Sequence, residues 1–204
     1  AIVYDVINHK KLHEAPIDHK LVVEILENFE GRNIWPMIED GDYMLVKDVY
    51  EGVVTYNGQK INLTQTESRA GNYLLKEAKK IQDDINMNVN KIVTIVEPSE
   101  MDETLAEFQE KFGDRLYVLQ TSPFYMEFMR PEVNKAFGLE KIGIDPETLM
   151  TFGDSMNDLE MLKYSKYPIA MGNAQEPLKE EAVYVTADND HDGIYEALKH
   201  FGLV

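Results

Sequence analysis

The last third of the chain alternates short apolar runs with segments of helical spacing. The apolar runs cover residues 149–152, 168–171 and 182–186, and the helical segments cover 157–164, 176–181 and 193–201. Uniformly apolar runs of this length that alternate with helices predict parallel strands buried on both faces. In such sheets, ligand sites lie beyond the carboxyl ends of the strands.

The middle of the chain mixes helical spacing with β-rich runs. Asp18 is an N-cap candidate for a helix whose apolar positions recur until Gly31. A second helix is predicted over residues 73–85, and a third begins at Ser99, with Asp102 in the capping-box position. The middle region is therefore predicted to contain helices as well as strands.

The strands of the middle region are marked by β-branched and aromatic residues between turn signals. Asn57-Gly58 between two such runs is the strongest short signal for a β-hairpin. The predicted strands cover residues 43–46, 53–56, 59–63, 91–96, 115–120 and 125–129. Together with the helices they predict a compact α+β module.

The domain organisation follows from these two patterns. We predict an α/β fold whose core contains residues 1–16 and 130–204, with an α+β domain inserted at residues 17–129. Residues 1–4 and 11–13 predict two short strands around a polar turn. Because the first residues are those of a strand already in progress, we expect the chain to begin inside a longer protein and the core to be incomplete at its N-terminus.

The charge and the composition limit the kinds of partner and the compartment that suit this protein. The 204 residues include 20 Lys plus Arg and 37 Asp plus Glu, a net charge of −17, which repels nucleic-acid phosphates and anionic membrane surfaces. Cysteine is absent from the sequence, which excludes disulfides and thiolate metal sites and suits a reducing compartment. The sequence has neither a membrane-length apolar stretch nor a signal-peptide pattern, so we expect a cytoplasmic protein. The oligomeric state stays open.

The chemistry is expected in the loop after the strand at 149–152. Gly153 allows a sharp turn, Asp154 follows at the strand end, and Asp158 comes one helical turn later, with Asn157 between them. Two carboxylates and an amide form an oxygen cluster that suits Mg²⁺, and the following helix N-terminus suits a phosphate. A simpler interpretation is that Asp154 caps the helix and Asp158 is solvated.

The sequence around this loop resembles the haloacid dehalogenase superfamily of phosphatases, and within it the Cof-type branch with a large α/β (type IIB) cap. Five motifs carry the resemblance, which extends over residues 1–204. They are residues 122–127 (Ser-Pro-Phe-Tyr-Met-Glu), 133–135 (Val-Asn-Lys), 151–162 (Thr-Phe-Gly-Asp-Ser-Met-Asn-Asp-Leu-Glu-Met-Leu), 170–174 (Ala-Met-Gly-Asn-Ala) and 188–194 (Asp-Asn-Asp-His-Asp-Gly-Ile).

The resemblance implies roles for four residues. Asp154 would be a Mg²⁺ ligand, and Asp158 an outer-shell carboxylate that orients the metal waters or the lysine. Asn157 would contact the transferring phosphoryl group. Lys135 would neutralise the phosphate and the nucleophile, which agrees with the need for local positive charge in so acidic a protein. Without the resemblance, Lys135 would be taken for an ordinary surface lysine.

Three features depart from the family pattern. Ala136 replaces the glycine that usually follows the lysine, and the segment 135–143 is about one helical turn shorter than usual. The nucleophile motif Asp-x-Asp-Gly-Thr does not occur in residues 1–204; the nearest string, at 39–42, has the wrong order and falls in a predicted hairpin turn. We therefore expect the nucleophilic aspartate to lie outside this chain, which alone would be inactive.

The residues from Asp188 to Gly193 match the first half of an EF-hand loop, but the twelfth position is Lys199 rather than glutamate. A polar turn before the last helix is the better interpretation.

The predicted function is Mg²⁺-dependent hydrolysis of a small phosphate monoester, a sugar phosphate or similar metabolite, through an aspartyl-phosphate. The inserted domain would close over the core and exclude water, and would choose the substrate. Two alternatives stay open. One is a non-catalytic ligand-binding module; the other is a phosphotransferase or mutase that uses the same metal cluster.

Overall fold

A computed structural model describes residues 2–40, 43–85 and 88–204. The chain divides into two compact units. The split unit contains Ala1–His13 and Glu132–Val204, and the inserted unit contains Glu14–Pro131. No helix in the described ranges is long and apolar enough to cross a membrane.

The chain begins with a two-stranded sheet of β1 (Ile2–Asp5) and β2 (Lys10–Glu14). The inserted unit follows, and it contains both helices and strands. They are α1 (His19–Glu27), β3 (Ile34–Asp40), β4 (Tyr43–Val46), β5 (Val53–Tyr56), β6 (Gln59–Asn62), α2 (Leu63–Gly71), β7 (Leu74–Glu77), α3 (Ile81–Asp84), β8 (Ile92–Val96), α4 (Met101–Phe112), β9 (Tyr117–Ser122) and β10 (Tyr125–Met129). Six of the strands form one sheet in the order β7-β4-β3-β8-β10-β9.

The core of the inserted unit lies between this sheet and helices α1 and α4. Ile25 of α1 and Phe108 of α4 are fully buried in one cluster with Phe128 of β10. Two bidentate ion pairs link the helical segments at the surface, Arg32 with Glu107 and Arg115 with Glu24. The apolar positions of α1 are buried in this core, as their helical spacing predicts. Asp18 caps the helix by accepting hydrogen bonds from the amides of residues 20 and 21.

The rest of the split unit contains α5 (Lys135–Lys141), β11 (Met150–Gly153), α6 (Leu159–Tyr164), β12 (Tyr167–Ala170), α7 (Glu176–Glu181), β13 (Tyr184–Val185) and α8 (Gly193–His200). β11, β12 and β13 form a parallel sheet in that order. The predicted α/β class and the predicted parallel strands are confirmed. The helix predicted from residue 157 begins with a 3₁₀ turn, Met156–Asp158.

Several predictions for the inserted unit are wrong. The helix predicted over 73–85 is strand β7 followed by the short helix α3, because β7 pairs in parallel with β4 and this long-range pairing outweighs the local pattern. The helix lies earlier, as α2, where Asn62 accepts a hydrogen bond from the Gln65 amide. The N-cap of α4 is Glu100, whose side chain makes no capping hydrogen bond, so the predicted capping box of Ser99 and Asp102 does not form.

Strand β3, which lies between β4 and β8 in the sheet, was not predicted. The predicted hairpin at Asn57-Gly58 is confirmed, with β5 and β6 antiparallel and both turn residues at positive φ. Gly41 and Asp42, part of the acidic string at 39–42, lie outside the described residues.

Candidate active site

Strand β11 ends at Gly153, in direct contact with the turn that follows it. A Cβ atom at Gly153 would lie 2.6 Å from Cβ of Asp158 and 2.7 Å from Cδ1 of Leu162. Neither distance is possible without displacement of buried neighbours. Glycine is therefore needed here for close packing of the strand end against the start of α6.

Asp158 is the buried centre of this turn, with 5% of its surface exposed. Its Oδ2 accepts hydrogen bonds from the amides of Asp154, at 3.1 Å, and Ser155, at 3.4 Å. Its Oδ1 forms an ion pair with Nζ of Lys135. Burial alone would raise the pKa of Asp158, but the hydrogen bond from Lys135 and the two amides outweigh burial and lower that pKa. Asp158 is therefore held as a carboxylate that fixes both the loop and the lysine.

Lys135 reaches this turn from the first position of α5. Asn134 caps that helix by accepting a hydrogen bond from the Phe137 amide at 2.9 Å. Half of the Lys135 side chain is exposed, although its ammonium group pairs with a buried carboxylate. The ammonium group can therefore meet a soluble anion while Asp158 holds it in place.

Asp154 lies at the carboxyl end of β11 with its side chain exposed. Its Oδ1 accepts from Oγ of Ser155 at 3.2 Å, and its Oδ2 accepts from Nδ2 of Asn173 at 3.1 Å. Oδ1 of Asn173 accepts in turn from the amide of Asn189 at 3.3 Å. The loops after β11 and β12 thus meet at the Asp154 carboxylate, and the loop after β13 joins them through Asn173, as expected for the carboxyl ends of parallel strands.

Asn173 was not among the predicted site residues, although it lies in one of the motifs that carry the resemblance. Its position two residues after Met171, just beyond the end of β12, is the signal that could have identified it. Asn157, which was predicted to contact phosphate, lies exposed in the 3₁₀ turn between Asp154 and α6.

The acidic residues from Asp188 onward form a compact turn. Oδ1 of Asp188 lies 2.6 Å from Nδ1 of His191 and accepts from the Asp190 amide at 3.0 Å. These hydrogen bonds, led by that of His191, lower the pKa of Asp188. A Cβ at Gly193 would lie 2.0 Å from the carbonyl oxygen of Ala187. The two backbone segments therefore approach each other so closely that glycine is needed at this position.

The donor set fits a magnesium ion that keeps most of its water. Among the described residues there is no group of three His, Cys, Asp or Glu side chains placed to bind a metal. Asp158 is committed to Lys135, whereas the exposed carboxylate of Asp154 is held by two neutral donors and retains free lone pairs. Mg²⁺ is commonly bound through one or two carboxylates plus water and substrate phosphate, which this arrangement permits.

Comparisons with known proteins identify the family and the fold of the chain. The profile of the haloacid dehalogenase-like hydrolase family matches residues 1–198. The Mycoplasma genitalium protein MG265, which has a provisional phosphatase name, is 30% identical over 98% of this chain and 74% of its own length. The Bacillus subtilis 5-amino-6-(5-phospho-D-ribitylamino)uracil phosphatase YcsE is 38% identical over 50% of this chain and 41% of its own length.

The fold has a similar counterpart among solved structures. The crystal structure of a haloacid dehalogenase-like hydrolase from Bacteroides thetaiotaomicron superposes with a TM-score of 0.82 and 24% identity, over 98% of this chain and 73% of that one. At this identity the superposition shows the fold, and the residues of the site rest on their own geometry.

Proposed function

The chain belongs to the haloacid dehalogenase-like hydrolase family, and we propose that it contributes the active site of a Mg²⁺-dependent phosphatase for small phosphate monoesters. The observation that carries the proposal is the Lys135–Asp158 ion pair beside the exposed carboxylate of Asp154. In a protein of net charge −17, a phosphate needs positive charge held in one place.

Each residue has a distinct task in this proposal. Asp154 would hold Mg²⁺, which when bound supplies positive charge to the phosphoryl oxygens and positions them. Lys135 would bind another phosphoryl oxygen through its exposed side, and Asp158 would keep the lysine oriented. The side-chain amide of Asn157, in the same turn, would contact the phosphoryl group. Asn173 and Ser155 would orient the Asp154 carboxylate, as partners of metal ligands commonly do.

The nucleophile is proposed to be an aspartate outside this chain. The Asp-x-Asp-Gly-Thr motif is absent from the 204 residues. In the proposed reaction a carboxylate oxygen attacks phosphorus, the ester alcohol leaves, and water then releases inorganic phosphate from the aspartyl-phosphate. The substrate is proposed to be a small phosphorylated metabolite, and the name of the B. subtilis relative, which specifies one, supports this class.

The test is phosphate release from a panel of sugar phosphates and related monoesters with Mg²⁺. The product of the whole gene is compared with its Asp154→Asn and Glu160→Gln variants. Glu160 is a matched control because it is an exposed acid on α6 that pairs with Lys163. We expect Asp154→Asn to abolish Mg²⁺-dependent turnover and Glu160→Gln to leave it unchanged, whereas equal activity of all three would refute the role of Asp154.

Other outcomes identify the alternatives. Mg²⁺ binding without turnover on any ester would indicate a ligand-binding module, and transfer of phosphate to an added sugar would indicate a phosphotransferase or mutase. The 204-residue chain alone is expected to release no phosphate. Robust turnover by that chain would overturn the proposed location of the nucleophile.

A further inference from the structure

A cavity of about 330 Å³ lies in the inserted unit at one end of its six-stranded sheet. Its apolar lining comes from the end of α1, the turn after it, the start of β3 and the start of α3. These residues are Leu26, Phe29, Ile34, Trp35, Pro36 and Ile81. The volume is at the lower end of the range for small-molecule sites.

The cavity lies within the inserted unit, at the end of the sheet opposite to the point where the chain enters that unit. At this end of the sheet, Ile34 of β3 pairs with Val96 of β8. The chain enters the inserted unit at the opposite end of β8, where the Ile17 amide bonds to the Val89 carbonyl at 2.8 Å. All residues that line the cavity belong to the inserted unit, whereas Lys135, Asp154 and Asp158 belong to the split unit.

The rim of the cavity is basic in an acidic protein. It carries Arg32, Lys47, Lys79 and Lys80 against two acids, Glu30 and Glu51. Arg32 is neutralised by Glu107, and Glu30 accepts a hydrogen bond from Gln82 at 2.9 Å. The three lysines, by contrast, lie within ion-pair distance of no carboxylate among the residues that the structure describes.

Lys47, Lys79 and Lys80 outnumber the two rim acids, and none of the three pairs with a carboxylate among the described residues, so together they can attract an anion. Lysine is a common phosphate ligand that acts as a point charge. The apolar lining offers a surface for a ring or another flat apolar group. The total charge of −17 and the small volume disfavour a polyanionic chain such as nucleic acid.

We propose that this cavity binds a small phosphate-bearing molecule with a flat apolar group, that is, a molecule of nucleotide-like chemistry. Lys47, Lys79 and Lys80 would bind the phosphate, and the lining around Trp35 would cover the apolar group. The site is independent of the proposed phosphatase reaction and needs neither Mg²⁺ nor turnover.

The 204-residue chain carries its own probe for this site, because Trp35 is the single tryptophan of these residues. Its fluorescence is titrated with adenosine 5′-monophosphate in the presence of EDTA, so that the metal site and catalysis do not contribute. We expect saturable quenching or enhancement that adenosine alone and inorganic phosphate alone reproduce only at much higher concentrations.

The variant for this test replaces all three lysines, Lys47→Gln, Lys79→Gln and Lys80→Gln. The matched control is Lys60→Gln, an exposed lysine on β6 that does not line the cavity. The triple variant should weaken binding about tenfold or more, since each exposed charge contact contributes a modest amount. The control should bind like the parent.

Three results would overturn the proposal. One is the absence of a saturable change in Trp35 fluorescence with the nucleotide. The second is equal affinity of the parent and the triple variant, and the third is an equal loss of affinity in Lys60→Gln. Thermal unfolding of each variant checks that it is folded. None of these measurements depends on phosphate release, so the site and the proposed function fail separately.

Discussion

Phe108 in the inserted unit and Asp158 in the split unit are both buried, with 1% and 5% of their surfaces exposed. Phe108 is surrounded by other rings, with centroids at 5.4 Å for Phe29 and 5.6 Å for Phe128. Asp158 is surrounded by hydrogen-bond donors from two backbone amides and Lys135. One unit is thus organised by apolar packing and the other, at its site, by directed polar contacts.

This difference has consequences for function. Apolar packing is non-directional and responds mainly to volume, so it fixes the fold without fixing the direction of any one polar group. Hydrogen bonds and ion pairs fix directions, which a phosphate site requires. The split unit has a smaller buried cluster, around Leu162 and Leu178, and places its polar groups at the strand ends.

The strongest test of this contrast is Phe108→Ala. Removal of the ring from the centre of the cluster should lower the free energy of unfolding of the inserted unit by about 3–5 kcal/mol. Urea unfolding followed by Trp35 fluorescence reports on this unit, in which Trp35 lies. Tyr117→Ala, which truncates a half-exposed ring on β9, is the control. A loss below about 1 kcal/mol for Phe108→Ala would contradict the importance of this cluster.

The next prediction concerns close backbone packing in the split unit. Gly193→Ala would place a Cβ 2.0 Å from the Ala187 carbonyl oxygen, so we expect a loss of about 1–3 kcal/mol in the free energy of unfolding. Gly138→Ala in α5 meets only Cγ2 of Val3, at 4.0 Å, and should stabilise the protein by up to about 1 kcal/mol through helix propensity. Circular dichroism during thermal unfolding measures both. Equal effects of the two substitutions would show that the turn at residues 187–193 is not tightly packed.

The two units also differed in how far the sequence predicted them. A short strand that is buried throughout, such as 168–171, leaves a uniform apolar run that has few other interpretations. In the inserted unit the strands are exposed in part, so their local pattern was ambiguous. The helix expected at 73–85 begins instead with strand β7. The local pattern could not show this strand, because its partner, β4, is distant in sequence.

Part of the candidate site could be predicted from the sequence, because two of its residues lie close together in the chain. Asp154 and Asp158 lie in one turn, so their spacing alone indicated a cluster. Lys135 is 23 residues from Asp158, and its pairing followed only from the resemblance to the family. The contact from Asn173 to Asp154 joins two loops 19 residues apart, and the local sequence pattern did not predict it.

The polar centre of the site is tested by Lys135→Met. This change leaves the buried Asp158 carboxylate without its ion pair, and we expect a loss of about 1–2 kcal/mol in the free energy of unfolding at neutral pH. The pKa of Asp158 is lowered in the folded state, so its contribution is present above the usual aspartate pKa and is lost as the pH falls through its folded pKa. The difference between parent and variant should therefore shrink in urea unfolding at about pH 3.

Lys199→Met, which changes an exposed lysine on α8, is the control for this substitution and should have little effect at either pH. A pH-independent loss in Lys135→Met would mean that the lysine stabilises the loop by packing of its methylene groups rather than by charge.

The smallest effect is expected for a surface ion pair of the inserted unit, in Arg32→Gln. The Arg32–Glu107 pair is bidentate at 2.7 Å, but both side chains are partly exposed, so its loss should cost about 0.2–1 kcal/mol. The hydrogen bond from Arg32 lowers the pKa of Glu107, so the contribution exists above the usual glutamate pKa and disappears as the pH falls through the folded value. Urea unfolding at neutral pH, at about pH 3 and in about 1 M salt should show the largest deficit in the first condition, since the contact of the Arg32 guanidinium with the Phe108 ring, at 5.1 Å, does not depend on the charge of Glu107. A deficit as large as that of Lys135→Met would mean that the inserted unit also depends on directed polar contacts, and the contrast between the two units would fail.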